Sequence, residues 1–220
     1  MKKYYEAYDE RYKAVHQKKL RWMGYAPSDI VFEIIKKYGI SAEDTVLEIG
    51  CGEGRDSIYL LENGYNLLAT DVSPEAVNYC KAQYKEFSDR FSTLDAVSGT
   101  LNKKFDYIYS VAVIHMLVED EDRKAFYSFI KEHLTENGIA LICTMGDGKI
   151  ERKTDVRVAF DLGERVCEGE TVLVPETSCR IVTFQTFEKE LKETGFKIIE
   201  QGFTSVENHF PVMMYAVVKR

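Results

Sequence analysis

Glu48-Ile49-Gly50-Cys51-Gly52-Glu53-Gly54-Arg55 is the stretch on which the fold turns. It overlaps the end of Thr45-Val46-Leu47-Glu48-Ile49, a short β-branched and apolar run closed by Gly50. It precedes Ser57 to Asn63, which has the texture of a helix. Three glycines in five residues let the backbone approach a ligand with no Cβ in the way. A glycine-rich passage from strand to helix belongs at the carboxyl edge of a parallel sheet, where open α/β sheets bind their ligands.

Working outward, strands and helices keep alternating. Gly64 suits the left-handed position just past a helix end. Asn66 to Thr70 reads as the next strand and ends at Asp71. Ser73-Pro74-Glu75 then opens a helix, with Ser as N-cap, Pro at the first helical position and an acid at the positive end of the dipole. That helix is expected to run to about Phe87. Phe91 to Leu94 is a short strand ending at Asp95, and Phe105 to Val113 a longer one. Glu121 to Leu134 reads as a helix closed by Asn137-Gly138, followed by a buried strand from Ile139 to Thr144. Phe187 to Thr194 is a helix capped by Gly195. Phe196 to Ile199 and Val212 to Val218 are the last two strands. The pattern predicts an α/β fold: a seven-stranded, mostly parallel, doubly wound sheet with right-handed crossovers.

Two segments stand outside this rhythm. Residues 1–40 read as an N-terminal helical cap, with Tyr5, Tyr8, Tyr12 and Val15 on one face. A second helix opens at Pro27-Ser28-Asp29 and stops near Gly39. Residues 146–182 carry Gly146, Gly148, Gly163, Gly169 and Pro175 and read as an insertion after the fifth strand. The expected organisation is one domain over 1–220, with a ligand-binding core at 44–145 and a C-terminal helix and strands at 183–220.

The 220 residues hold 29 Lys+Arg against 36 Asp+Glu, a formal charge of −7. That balance argues against a nucleic-acid partner, which needs a basic stripe. The apolar run Val111 to Val118 is far short of the roughly 20 residues that span a bilayer, so no membrane partner is expected. Met1-Lys2-Lys3 continues with Tyr, Glu and Asp, unlike a secretory leader. Cys51, Cys80, Cys143, Cys167 and Cys179 are odd in number and nowhere spaced C-x-x-C. They suggest free thiols in a reducing, cytoplasmic setting, without a metal cage.

Three cofactor classes compete for the glycine turn. A nucleoside triphosphate needs G-x-x-x-x-G-K-[ST], and Gly54 is followed by Arg55-Asp56. A dinucleotide fingerprint starting at Gly50 needs its third glycine at position 55, which is Arg55. The third pattern is E/D-x-G-x-G-x-G, matched by Glu48, Gly50, Gly52 and Gly54. Here the chain resembles motif I of the class I S-adenosylmethionine-dependent methyltransferases, which have a Rossmann-like fold.

Successive strand ends extend the resemblance over about residues 44–145. It implies that Glu48 faces the α-amino side of the cofactor and that Asp71 accepts hydrogen bonds from both ribose hydroxyls, as an acceptor-only carboxylate can. It implies that Asp95, beside Ala96, contacts the adenine amino group, and that Ser110 to Leu117 lines the methionine part. The implied cofactor-binding set is Glu48, Gly50, Cys51, Gly52, Gly54, Arg55, Asp71, Val72, Asp95, Ala96, Ser110 and Val111. Cys51 reads as a small buried hydrophobe in the turn. The run Gly54-Arg55-Asp56-Ser57 and the loose match Asp9-Glu10-Arg11-Tyr12 resemble the tellurite-resistance and thiopurine methyltransferase branch.

The implied reaction is methyl transfer from S-adenosylmethionine to a small-molecule acceptor, leaving S-adenosylhomocysteine. No [ND]-P-P-[YF] follows strand four, where Ser110-Val111-Ala112-Val113 stands instead, and no Pro precedes a Cys, which disfavours base-methylating enzymes. His115 is the candidate base, its free pKa lying near 6.5. Tyr8, Tyr12 and Trp22 are candidate acceptor-site aromatics. Arg180 is the candidate guanidinium for an anionic acceptor, ahead of Arg152, Arg157 and Arg165. A cofactor-binding module without transfer activity and an NAD(P)-dependent oxidoreductase remain as alternatives. Oligomeric state and the identity of the acceptor have no signal in the chain.

Overall fold

The structure is a computed structural model and describes residues 2–206 and 210–220. Its central sheet has seven strands: β1 (Thr45–Ile49), β2 (Asn66–Asp71), β3 (Phe91–Thr93), β4 (Phe105–Val111), β5 (Leu134–Met145), β10 (Lys197–Val206) and β11 (Phe210–Lys219). Four short strands between β5 and β10 lie outside it: β6 (Arg152–Lys153), β7 (Leu162–Cys167), β8 (Glu170–Pro175) and β9 (Arg180–Ile181). The sheet order is β10-β11-β5-β4-β1-β2-β3. Neighbours from β5 across to β3 are parallel, and β11 and β10 are antiparallel. The expected seven-stranded, mostly parallel sheet is therefore present.

Six α-helices accompany it among the described residues: α1 (Ala7–Gln17), α2 (Asp29–Tyr38), α3 (Arg55–Glu62), α4 (Pro74–Gln83), α5 (Asp120–His133) and α6 (Phe184–Glu193). Side chains alternate across the strands, because successive Cβ atoms point to opposite faces. Val46, Tyr107, Tyr109, Leu141 and Cys143 pack with Ile30 and Ile34 of α2, Leu60 of α3 and Val77 of α4. Leu47, Ile49, Ile108, Ala140 and Ile142 pack on the other face with Phe126 and Ile130 of α5 and Phe187 and Leu191 of α6. The sheet is thus covered on both faces, as a doubly wound fold requires.

The structure moves element boundaries at three places. The helix from Ser73 ends at Gln83, and a 3-10 turn at Lys85–Arg90 takes its place up to Phe91. Asn137-Gly138 does not close α5. That helix ends at His133 and the chain enters β5 directly at Leu134. The turn-like residues fall in an irregularity of β5, whose partners jump from Leu134 to Ile139 while β4 advances from Phe105 to Tyr107. A Cβ on Gly138 would meet the Phe105 carbonyl oxygen at 2.9 Å, so glycine serves a close backbone approach there. The apolar run from Cys179 to Phe184 forms a strand only at Arg180–Ile181, and Thr183 already caps α6 by accepting from the Thr186 N–H.

The insertion is mainly the β7–β8 hairpin, which packs Val172, Val174 and Cys167 against Val15 of α1 and Trp22. That contact brings the N-terminal helix and the insertion together above the carboxyl ends of the central strands.

Candidate active site

The glycine turn joins β1 to α3 in a backbone that suits glycine. Gly50, Gly52 and Gly54 hold φ of +83°, +52° and +80°, conformations that cost an L side chain about 1–2 kcal/mol. The N–H groups of Gly50 and Cys51 donate to the Thr70 carbonyl (2.7 and 2.9 Å), so the turn is tied to the end of β2. Asp71 completes the link. One of its oxygens accepts from the Gly52 N–H at 2.8 Å, the other from the Ser73 N–H at 2.8 Å. Burial pushes the Asp71 carboxyl up to about 6, against the pull of these N–H groups. Each of its oxygens keeps a further lone pair for a ligand donor.

Glu48, at the end of β1, is also buried. Burial, then the nearby Asp56 carboxylate, push it up to about 8, while a hydrogen bond from the Ser57 hydroxyl pulls the other way. Asp56 accepts from the Ser28 N–H (2.7 Å) and the Ser28 hydroxyl (2.9 Å), and pairs with Arg55. Arg55 donates to the Ser28 hydroxyl at 2.7 Å, and its Nη1 is buried without a partner. Asp95 is engaged by the N-terminal segment. One oxygen accepts from Lys3 (2.9 Å), Tyr5 (3.1 Å) and Ser98 (2.7 Å), and the other from the Val97 N–H (2.9 Å). Burial raises its pKa, but Lys3, Ser98 and Val97 outweigh burial and hold it below the usual range.

These groups face one cleft of about 280 Å³. Of the implied cofactor residues, Glu48, Gly50, Cys51, Gly52, Arg55, Asp71, Val72, Asp95, Ala96 and Val111 line it. Gly54 and Ser110 do not. A Cβ on Gly54 would face Tyr84, Cys80 and Phe91 in the core, and Ser110 lies fully buried in β4. Cys51 is held protonated by its hydrogen bond with Cys80 and by burial, which suits a packing role better than a nucleophile.

The far wall comes from outside the strand ends. Tyr8 and Tyr12 of α1, Trp22, Phe126 of α5, Thr177 to Cys179 after the hairpin, and Phe210 at the start of β11 all line the same space. Tyr12 lies over the glycine turn, its hydroxyl 2.8 Å from the site a Cβ on Gly52 would occupy. Trp22 is held there by Glu53, whose carboxylate accepts from the Trp22 and Met23 N–H groups at 2.8 Å each. His115 also lines the cleft, with its Nδ1 buried and unpartnered and its ring edge against Phe210. Burial, helped by the Arg123 charge, pushes its pKa down to about 4, so the ring is neutral.

Arg180 is not on this wall. It donates to the Val118 carbonyl (2.8 Å) and pairs with Asp120 (2.5 Å), in a separate concavity between α5 and α6. Arg157 and Arg165 pair with Asp155 and Glu176, and Arg152 is exposed. Two further residues, Ala112 and Arg11, line the cleft. Ala112 holds φ +59° at the end of β4, a strained backbone of the kind that gathers at functional sites. Arg11 had a signal that went unused: a cation at helical spacing within the apolar stripe Tyr8, Tyr12, Val15.

The cleft suits a nucleoside with a positive charge. Of its strand-end acids, Asp71 and Asp95 are carboxylates at neutral pH, which accept from hydroxyls and attract a cation, and the turn offers neither Lys nor a Gly-Lys pair to a phosphate. Known proteins agree. The family described as a methyltransferase domain matches residues 47–140, from β1 to β5. The ubiquinone biosynthesis O-methyltransferase of Rickettsia canadensis is 26% identical over 176 residues, 78% of this chain and 70% of that protein. The probable S-adenosyl-L-methionine-dependent methyltransferase TehB of Haemophilus influenzae is 26% identical over 120 residues, which are 54% of this chain and 42% of TehB. A crystal structure of an S-adenosylmethionine-dependent methyltransferase from Clostridium acetobutylicum superposes with a TM-score of 0.67 at 19% identity, covering 98% of both chains. No described helix is long and apolar enough to cross a membrane. The matched segment is the one whose strand ends build the acidic half of the cleft, and over that segment the chain carries a methyltransferase domain similar to those of S-adenosylmethionine-dependent methyltransferases.

Proposed function

We propose that the chain transfers the methyl group of S-adenosylmethionine to a small organic acceptor held between α1, the hairpin insertion and the start of β11. One observation supports this above the others: the acidic strand ends and the aromatic wall share a single continuous cleft. When bound, the cofactor supplies an electrophilic methyl on a sulfonium with a thioether leaving group, suited to in-line displacement. The protein's part is to hold, orient and dry the partners, which can lower a barrier by about 7–11 kcal/mol at best.

Asp71 accepts from the ribose hydroxyls, Glu48 faces the ammonium, and the unpartnered Nη1 of Arg55 takes the cofactor's carboxylate. Tyr12 and Trp22 cover the turn against water. Neutral His115 is too weak a base, at about 4, to hold a proton from a phenol or an ammonium acceptor. It serves as a hydrogen-bonding group that orients the acceptor.

Incubation with methyl-labelled cofactor and a panel of small acids, phenols, amines and thiols tests the proposal. Label on any acceptor supports it. S-adenosylhomocysteine binding with no labelled product from any class of acceptor would instead mark a binding module, and stabilisation by NAD(P)H alone an oxidoreductase.

Asp71→Asn is expected to weaken S-adenosylhomocysteine by about 1.5–3 kcal/mol, the worth of hydrogen bonds to a charged group. Titration calorimetry reads this directly. The wild type should also lose affinity as pH falls through about 6. The sign follows from which form the ligand prefers: ribose hydroxyls donate to the ionised carboxylate, and below about 6 the free protein carries a proton there that binding must displace. The slope approaches tenfold per pH unit for one proton. Asp71→Asn should flatten that step, and an unchanged step in the variant would count against Asp71.

A further inference from the structure

Arg11 is 5% exposed and stands in the wall of the cleft. Its Nε and Nη2 donate to the Pro175 carbonyl (3.2 and 2.6 Å). Nη2 also donates to the Glu176 carbonyl and the Thr177 hydroxyl, both at 2.9 Å. Every one of these acceptors is neutral. Among the described residues no carboxylate forms an ion pair with Arg11, and the carboxylate of Glu176 pairs with Arg165 instead. The other arginine on the cleft wall, Arg55, has Asp56.

Buried charges are normally paired, because desolvating an unpaired one is costly. A guanidinium cannot escape by losing its proton at any ordinary pH. The cleft wall therefore holds a fixed positive charge whose counter-ion is not among the described side chains. The guanidinium also lies over two aromatic rings, 4.4 Å from the centre of Trp22 and 5.0 Å from that of Tyr8. Cation, flat apolar walls and the Thr177 hydroxyl converge on the side of the cleft built by α1 and the insertion. The five carboxylates of the cleft, Glu48, Glu53, Asp56, Asp71 and Asp95, come instead from the glycine turn, the start of α3 and the ends of β2 and β3.

We infer that Arg11 binds a carboxylate carried by the methyl acceptor, so that the acceptor is a small planar organic acid. The inference rests on the proposed function and names its substrate class. A carboxylate in this cleft has two sources, the acceptor and the amino-acid end of the cofactor. Arg55 is the better placed for the second, at the glycine turn itself.

Trp22 is the single tryptophan of the chain, so fluorescence reports on this wall alone. With S-adenosylhomocysteine saturating, nicotinate and 4-hydroxybenzoate are titrated against their amides, which have nearly the same shape without the charge. In the wild type at least one acid should bind about tenfold or more tighter than its amide, as expected for a charge-assisted pair. Arg11→Gln should erase that preference and leave the affinity for S-adenosylhomocysteine within about threefold, whereas Arg11→Lys should retain part of it. Equal binding of acid and amide, quenching by none of the four probes, or a preference that survives Arg11→Gln overturns the inference. So does an Arg11→Gln variant that loses tenfold or more on S-adenosylhomocysteine but nothing on 5′-methylthioadenosine, which lacks the amino-acid end. That result gives Arg11 to the cofactor. The wild-type acid-against-amide comparison stands even if the variants misfold. A wild type that binds no S-adenosylhomocysteine defeats the proposed function itself, a separate outcome.

Discussion

Gly50→Ala should cost about 2–5 kcal/mol of stability and remove S-adenosylhomocysteine binding. About 1–2 kcal/mol comes from placing an L residue at φ +83°. A further ~1–3 kcal/mol comes from overpacking, since the new methyl would run into the γ-methyl of Val113, just past β4. The backbone has little room to give way, because the Gly50 and Cys51 N–H groups are both committed to the Thr70 carbonyl. Any shift there also moves Gly52, whose N–H orients Asp71. Urea denaturation measures the stability loss and calorimetry the binding. Adding Val113→Ala should recover the overpacking part and leave the backbone part. A Gly50→Ala protein as stable as the wild type would show that the turn is not held in the conformation described.

The second large effect lies behind the site. Arg123 is 1% exposed and braces the turn that carries His115, donating to the carbonyls of Ile114 (2.8 Å) and Leu117 (3.2 Å). Its other nitrogens fork onto Glu190 of α6 at 2.8 and 2.6 Å, and the Tyr127 hydroxyl donates to the same carboxylate at 2.9 Å. Arg123→Met leaves Glu190 without its buried partner and two carbonyls without donors. Breaking one half of a buried pair costs about 3–5 kcal/mol. Arg123→Met with Glu190→Met should be less damaging than Arg123→Met alone, because no stranded charge remains. Arg123→Lys should restore only part, since an ammonium cannot fork onto carboxylate and carbonyls together. Denaturant melts of the wild type, Arg123→Met, Glu190→Met and the double variant close the cycle. A double variant as unstable as the single one would mean that the braced turn, not the ion pair, carries the energy.

The relatives differ in what their names say they act on, and the aromatic side of the cleft lies outside the family-matched segment. The matched segment ends at residue 140, before the insertion begins. Tyr8, Arg11 and Trp22 lie before the matched segment, and Thr177 and Phe210 lie after it. The acidic side of the cleft thus lies within the segment that the family description matches, and the aromatic side lies outside it.

The local order of residues was enough to announce the sheet and the cofactor. A positive φ favours glycine, as at Gly50, Gly52 and Gly54, and a carboxylate at a strand end leaves its mark at that position. Glu48, Gly50, Gly52, Asp71 and Asp95 were implied as cofactor residues by the resemblance their motif carries, and the structure brings all five to one cleft. The alternation of strand and helix set the layers, since a two-residue and a 3.6-residue period cannot be confused over long runs. Only the tertiary structure decided which charges are spent. Arg180 sits beside Cys179 and Ile181 in the chain, whereas Arg11 stands between Glu10 and Tyr12 in a charged run. Folding gives Arg180 the carboxylate of Asp120 and leaves Arg11 with carbonyls and a hydroxyl. His115 likewise became a neutral ring through burial beside Arg123 and Phe210. Desolvation and pairing depend on groups far apart in sequence, His115 and Phe210 among them, and no local pattern records them.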